Sequence, residues 1–145
     1  MKAVVQRVLN ASVEIDGEIT GEIPHGLLVY ICFEEHDTQK SMESLIHKIL
    51  NLRIFEDEEK KMNHNIRQSK GSILSISQFT LSWDGKKGHR PSFDKSMAPN
   101  QAKVFYRNFN DALEKEEINV AKGKFGAEMK VSSINDGPVT FFLNY

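Results

Sequence analysis

Seven consecutive residues, Leu27-Leu28-Val29-Tyr30-Ile31-Cys32-Phe33, offer no polar face to solvent. A strand of a one-sided sheet alternates apolar and polar positions. A continuous apolar run of this length, bounded by a turn, reads instead as a strand buried on both faces. Pro24-His25-Gly26 supplies the turn. The rest of the chain must then cover such a strand.

Two segments have helical spacing. Asp37 or Thr38 can cap a helix running to Asn51, with an apolar stripe of Met42, Leu45, Ile46, Ile49 and Leu50. Pro99, after Ala98, suits the first turn of a second helix. Its stripe is Ala102, Phe105, Phe109, Ala112 and Leu113, and Glu114, Glu116 and Glu117 close it. Strand patterns occupy residues 3–9, 53–55, 73–76, 129–134 and 139–143. Residues 13–19 predict a hairpin, because Asp16-Gly17 between alternating apolar residues is the pair a tight type I′ turn prefers. Helices interspersed with strands and hairpins predict an α/β fold, a mixed twisted sheet with two helices on one face. The 145 residues suit one domain, 1–145, without internal repeat or linker.

Composition removes several function classes. The net charge of −1 leaves any nucleic-acid contact to local patches. A single cysteine excludes a disulfide framework and a cysteine-rich zinc site, and it fits a reducing, cytoplasmic setting. Cys32, inside the apolar run, reads as a small buried residue rather than a nucleophile. No apolar stretch has the length of a membrane span, and the N-terminus lacks the apolar core of a signal peptide. The five histidines are scattered, and no Ser-His-Asp, His-Glu-x-x-His or Cys-His arrangement is visible. No metal or cofactor is expected. The carboxylates of residues 56–61 read as a solvated turn.

Chemistry concentrates in two stretches. Ser77-Gln78-Phe79-Thr80-Leu81 ends an apolar strand in hydroxyl and amide side chains, and Lys86, Lys87, His89 and Arg90 follow in a Gly-containing loop. This is a place for chemistry on an anionic substrate, or an ordinary strand end with a solvated loop. In the second stretch, Gly137-Pro138 stands at the start of a strand. For X-Pro, cis costs only about 0.5–1 kcal/mol relative to trans. A cis Gly-Pro can hold two carbonyl oxygens as a rigid clamp, and a simple turn is the plain alternative. Arg7, among apolar residues, reads locally as a snorkelling edge residue. Phe125, between Gly123 and Gly126, can stack on a base or pack on the core.

Taken together, Ser77-Gln78-Phe79-Thr80-Leu81 and Asn135-Asp136-Gly137-Pro138-Val139-Thr140 resemble the D-aminoacyl-tRNA deacylase family. Val5-Gln6-Arg7-Val8, residues 86–93 and residues 123–129 match further segments, so the resemblance spans essentially the whole chain. Residues 82–85 depart from the family wording. The resemblance implies a three-layer β/β/α homodimer that hydrolyses the ester between a D-amino acid and the terminal adenosine of tRNA. It places the active site at the dimer interface. There Gly137 and Pro138, reaching across from the partner and braced by Arg7, reject L-amino acids. Phe125 and Met129 are expected at the substrate, and Lys86, Lys87 and Arg90 at tRNA phosphates. Glycyl-tRNA is an implied second substrate.

The mechanism stays open at this level. Thr80 can act as nucleophile. Alternatively, backbone N–H groups around Phe79 and Thr80 stabilise the oxyanion while the RNA 2′-OH helps activate water, with Ser77 and Gln78 positioning the substrate. Two other classes compete: a non-catalytic RNA-binding module, supported by the basic loop, and a hydrolase of another acyl ester using Thr80 or Ser77.

Overall fold

A computed structural model describes residues 1–86 and 88–145. The strands are β1 (Lys2–Ile15), β2 (Glu18–Ile23), β3 (Gly26–Cys32), β4 (Phe55–Glu56), β5 (Met62–His64), β6 (Ser72–Ser77), β7 (Val120–Lys122) and β8 (Lys130–Asn144). The helices are α1 (Gln39–Asn51) and α2 (Pro99–Glu114).

β1 is the spine. One of its edges pairs antiparallel with β8, from Lys2↔Asn144 to Glu14↔Lys130. Its other edge is shared: residues 2–8 pair with β3 and residues 11–15 with β2, both antiparallel. β6 lies parallel to β3 and β7 parallel to β6, so the six-stranded sheet is mixed. β4 and β5 form a small separate ribbon.

The strand expected over residues 3–9 continues without a break into the hairpin. β8 pairs it throughout, and this non-local pairing outweighs the weak pattern of residues 9–12. The hairpin turn is as expected: Asp16 and Gly17 both have positive φ, 53° and 87°, which a type I′ turn requires.

β3 is buried on both faces. Leu27, Val29 and Ile31 join Ala3, Val5 and Ile73 in one apolar cluster. Leu28, with Tyr30 packed beside it, joins Val8, Val13, Ile23, Leu74 and Ile76 in another. Because successive strand residues point to opposite faces, the two clusters lie on opposite sides of the sheet. Both helices pack into the first. α1 has the predicted stripe, and Thr38 caps it through Ser41 in a capping box. α2 buries Ala102, Tyr106, Phe109 and Leu113, whereas Phe105 and Ala112 are half-buried. Tyr106 fell outside the predicted stripe. Its buried hydroxyl donates to the carbonyls of Ser75 (2.8 Å) and Gly123 (3.2 Å), which satisfies the phenol.

Residues 135–138 form no hairpin turn. Residues 130–144 are one strand carrying an excursion: Gln6 pairs with Thr140 and Val8 with Asn135, leaving Arg7 opposite residues 136–139. Among the described residues, no helix is long and apolar enough to cross a membrane.

Candidate active site

β6 ends where its parallel partner does. Ser77 pairs with Ile31, and the Gln78 N–H still donates to the Ile31 carbonyl at 2.8 Å. Gln78, at φ −141° and ψ 81°, then leaves the strand, and residues Phe79–Ser82 coil into a single 3-10 turn. The first N–H groups of a helical turn have no acceptor within it. Among the described residues, those of Phe79 and Thr80 have no acceptor elsewhere either.

Beside this turn lies a cavity of about 620 Å³. Ser77, Gln78 and Phe79 form one wall, and Phe125, Gly126, Ala127 and Met129 form another. The third comes from the segment before α2, where Phe93 meets the Phe79 ring edge-on at 4.8 Å. That segment is pinned to the end of β3, with the Met97 N–H donating to the Phe33 carbonyl at 3.0 Å. The Phe125 loop is tied down by the Gly123 N–H donating to the Ser75 carbonyl at 2.9 Å, beside the Tyr106 hydroxyl. Gly123 leaves room for Met129: a Cβ there would stand 2.6 Å from the Met129 sulfur.

Five sequence-predicted residues thus meet at one cavity: Ser77, Gln78, Phe79, Phe125 and Met129. Thr80 is exposed and does not line it; its Oγ1 accepts from Gln78 Nε2 at 2.6 Å. Among the described residues, no aspartate, glutamate, histidine, lysine or arginine lines the cavity. Cys32 does, but burial, reinforced by Glu34, pushes its thiol up to about 11. It donates weakly to the Phe79 carbonyl and stays a thiol near neutral pH, which suits a wall and not a nucleophile.

Arg7 is only 5% exposed and is anchored from several sides. Its Nε meets the Asp136 carboxylate at 2.9 Å and the Asp136 carbonyl at 3.3 Å, and Nη1 donates to the Ile54 carbonyl at 2.6 Å. The guanidinium therefore holds the excursion of β8 against the sheet. Asn135 closes the excursion, its Oδ1 accepting the Val139 N–H at 2.8 Å. The Gly137-Pro138 peptide bond is cis. Gly137 has φ 126°, and a Cβ there would lie 2.6 Å from Val139 Cγ2 and 3.3 Å from Arg7 Nη2. Both Gly137 and Pro138 are exposed.

One chain does not bring the two motifs together. Arg7 is level with Leu27 and hence with Ile73, whereas the cavity opens at Ser77. Three interstrand spacings of about 4.8 Å and four residues of about 3.3 Å separate them, on the order of 20 Å.

Lys86 and Arg90 are exposed in the loop that runs towards Phe93. The Asp84 carboxylate organises its start, accepting the Lys86 N–H at 3.1 Å and pairing with Lys95 at 3.2 Å. These contacts, the Lys86 N–H foremost, lower the carboxyl's pKa. Lys87 lies outside the described residues.

Residues 4–144 match the family described as D-Tyr-tRNA(Tyr) deacylase. The chain belongs to this deacylase family. It is 50% identical over 143 residues to a D-aminoacyl-tRNA deacylase of Aliivibrio salmonicida, with 99% of each chain covered. It is 49% identical to the namesakes in Thermodesulfovibrio yellowstonii and Bacillus cytotoxicus, covering 99% of this chain and 99% and 98% of theirs. A solved c-Myc DNA unwinding element binding protein superposes with a TM-score of 0.95 at 44% identity, covering 100% of this chain and 99% of the other. A probable eukaryotic D-amino acid tRNA deacylase shares the fold at TM-score 0.79 and 17% identity, covering 98% of this chain and 97% of the other.

Sequence reasoning missed Phe93, Cys32 and residues 96–99 as cavity walls. An aromatic residue two positions beyond Pro91 in a basic loop was a signal for Phe93. Nothing local announced that the segment before α2 would dock on β3.

Proposed function

We propose that this chain is a single deacylase domain, 1–145, that works as a cytoplasmic homodimer. It hydrolyses the ester between a D-amino acid and the terminal adenosine of tRNA. The observation that carries the reading is the cavity itself: backbone donors at Phe79 and Thr80 that have no acceptor among the described residues, beside a chamber whose described walls are apolar and aromatic and carry no charged side chain. An adenosine ring fits such walls, Phe125 and Met129 among them. The ester carbonyl then lies towards the turn.

Water adds to the carbonyl carbon, and the N–H groups of Phe79 and Thr80 stabilise the oxyanion. The C–O bond to the ribose 3′-oxygen breaks, and that oxygen takes up a proton. Among the described residues no side chain at the cavity offers a base, so the adjacent 2′-OH of the substrate relays the proton from water. Ser77 and Gln78 position the ester. Lys86, Lys87 and Arg90 bind phosphates of the tRNA.

Selection against L-amino acids falls to Gly137 and Pro138 of a second subunit. The within-chain separation of about 20 Å between the motifs supports a contribution from a partner. So does the outer edge of β8, which has no strand beside it among the described residues and exposes Ile134, Phe141 and Phe142. Held by Arg7, the clamp rejects a wrongly placed Cβ by overlap. A glycyl ester has no Cβ, so mischarged glycyl-tRNA enters as well. In this reading β2 and the part of β1 paired with it form the second strand layer of a β/β/α arrangement, over the apolar cluster of Val8, Val13, Ile23, Leu28, Leu74 and Ile76.

The test is deacylation of D- and L-tyrosyl-tRNA by the purified protein. Rapid release of D-tyrosine with L-tyrosyl-tRNA intact is expected; equal rates on both, or release of neither, overturns the proposal.

A further inference from the structure

Phe125 borders two hollows. It helps to wall the cavity, and it also borders a shallow groove of about 370 Å³ along α2. The groove is lined chiefly by Val104, Tyr106 and Phe125, and by the charged residues Lys103, Arg107, Asp111 and Lys122. Val104 is exposed, an odd position for a branched apolar side chain on the outer face of a helix. Lys103 and Arg107 are one helical turn apart on the same face. Among the described residues neither has an ion-pair partner, whereas the neighbouring Lys122 is held by Glu114 at 2.7 Å. Lys103 and Arg107 are therefore available to an anion from outside.

We propose that this groove binds the nucleotide immediately preceding the terminal adenosine of the tRNA. Its base lies over Val104 and the outer side of Phe125, and the phosphate that joins it to the terminal adenosine lies between Lys103 and Arg107. The inference rests on the deacylase reading and extends it along the RNA. The argument is continuity: a single strand whose last nucleotide sits in the cavity leaves it across Phe125 and arrives in the groove. The chemistry agrees, because single-stranded RNA is held by apolar or aromatic platforms for the bases beside cations for the backbone. One nucleotide suffices to cover a hollow of this size. The basic loop around Lys86 and Arg90 is then left for phosphates further from the ester.

The experiment compares three D-tyrosyl esters: of adenosine alone, of the dinucleotide cytidylyl-adenosine, and of full tRNA. In the unmodified protein, kcat/KM for the dinucleotide ester is expected to exceed that for the adenosine ester roughly tenfold, the scale of one stacked base. In a Lys103→Glu, Arg107→Glu variant the ratio is expected to fall to about twofold or less, with a flatter salt dependence on tRNA. Val104→Asp is expected to lower the ratio without the same change in salt slope. The adenosine ester reports folding and chemistry in each variant. A ratio near one in the unmodified protein, or a ratio that survives these substitutions, overturns the inference and leaves the deacylase reading standing. Hydrolysis of none of the three esters by the unmodified protein removes both.

Discussion

Two mechanisms part at Thr80. If its hydroxyl were the nucleophile, Thr80→Ala would abolish turnover. The hydroxyl, however, is exposed, accepts from Gln78 Nε2 at 2.6 Å, and does not line the cavity. Alanine keeps the backbone N–H, so Thr80→Ala is expected to retain activity within about tenfold of the unmodified protein. Loss of a true oxyanion donor costs about 10²–10³ in rate. The complementary substrate, a D-aminoacyl-tRNA ending in 2′-deoxyadenosine, is expected to bind and to be cleaved far more slowly. An inactive Thr80→Ala protein together with normal cleavage of the deoxy substrate would shift the assignment to covalent catalysis by Thr80. Arg7 illustrates what the sequence could and could not convey at this scale. Its charge among valines looked like an edge residue. Its buried contacts with Asp136 and Ile54 come from distant parts of the chain, beyond the reach of any local pattern.

At the scale of elements, legibility followed locality. α1 was readable down to its cap and stripe because helix signals lie within a few residues of one another. β8 was read as two strands about a turn because Asn-Asp-Gly-Pro is turn chemistry. Its real organisation depends on pairing with β1, more than a hundred residues earlier. β7, three residues long, carries too little pattern to be seen at all. Gly26 shows the same limit. In sequence it belongs to a turn; in the fold it opens β3 at φ 156°, pressed against β6. A Cβ there would lie 1.9 Å from the Ser72 carbonyl oxygen. That contact is with backbone of the paired strand, so relief requires separating β3 from β6. Gly26→Ala is expected to destabilise the protein by about 3 kcal/mol or more. Urea unfolding measures it, and a loss below about 1 kcal/mol would show that the strands part more easily than this packing implies.

At the scale of the whole molecule, a 15-residue edge strand with Phe142 58% exposed and Phe141 37% exposed invites another chain. A second copy also resolves the distance between the cavity and Gly137-Pro138, if each cavity is completed by the other subunit. This predicts complementation between two defective variants, one without activity and one without selectivity. Ala127→Trp fills the cavity and leaves the excursion of β8 intact. Gly137→Ala drives a Cβ into Val139 and the Arg7 guanidinium, disturbing the clamp and leaving the cavity intact. Each homodimer is then defective at both sites, the first without chemistry and the second without faithful selection. In a two-fold symmetric heterodimer one site inherits both lesions and the other inherits neither. Random exchange makes half the dimers mixed, so about one quarter of the D-selective activity returns on co-refolding the two variants. Sedimentation checks that the mixture and the unmodified protein have twice the mass of one chain. If cavity and clamp served the same site within one chain, mixing would restore nothing. A monomeric, fully active unmodified protein would remove the shared site altogether.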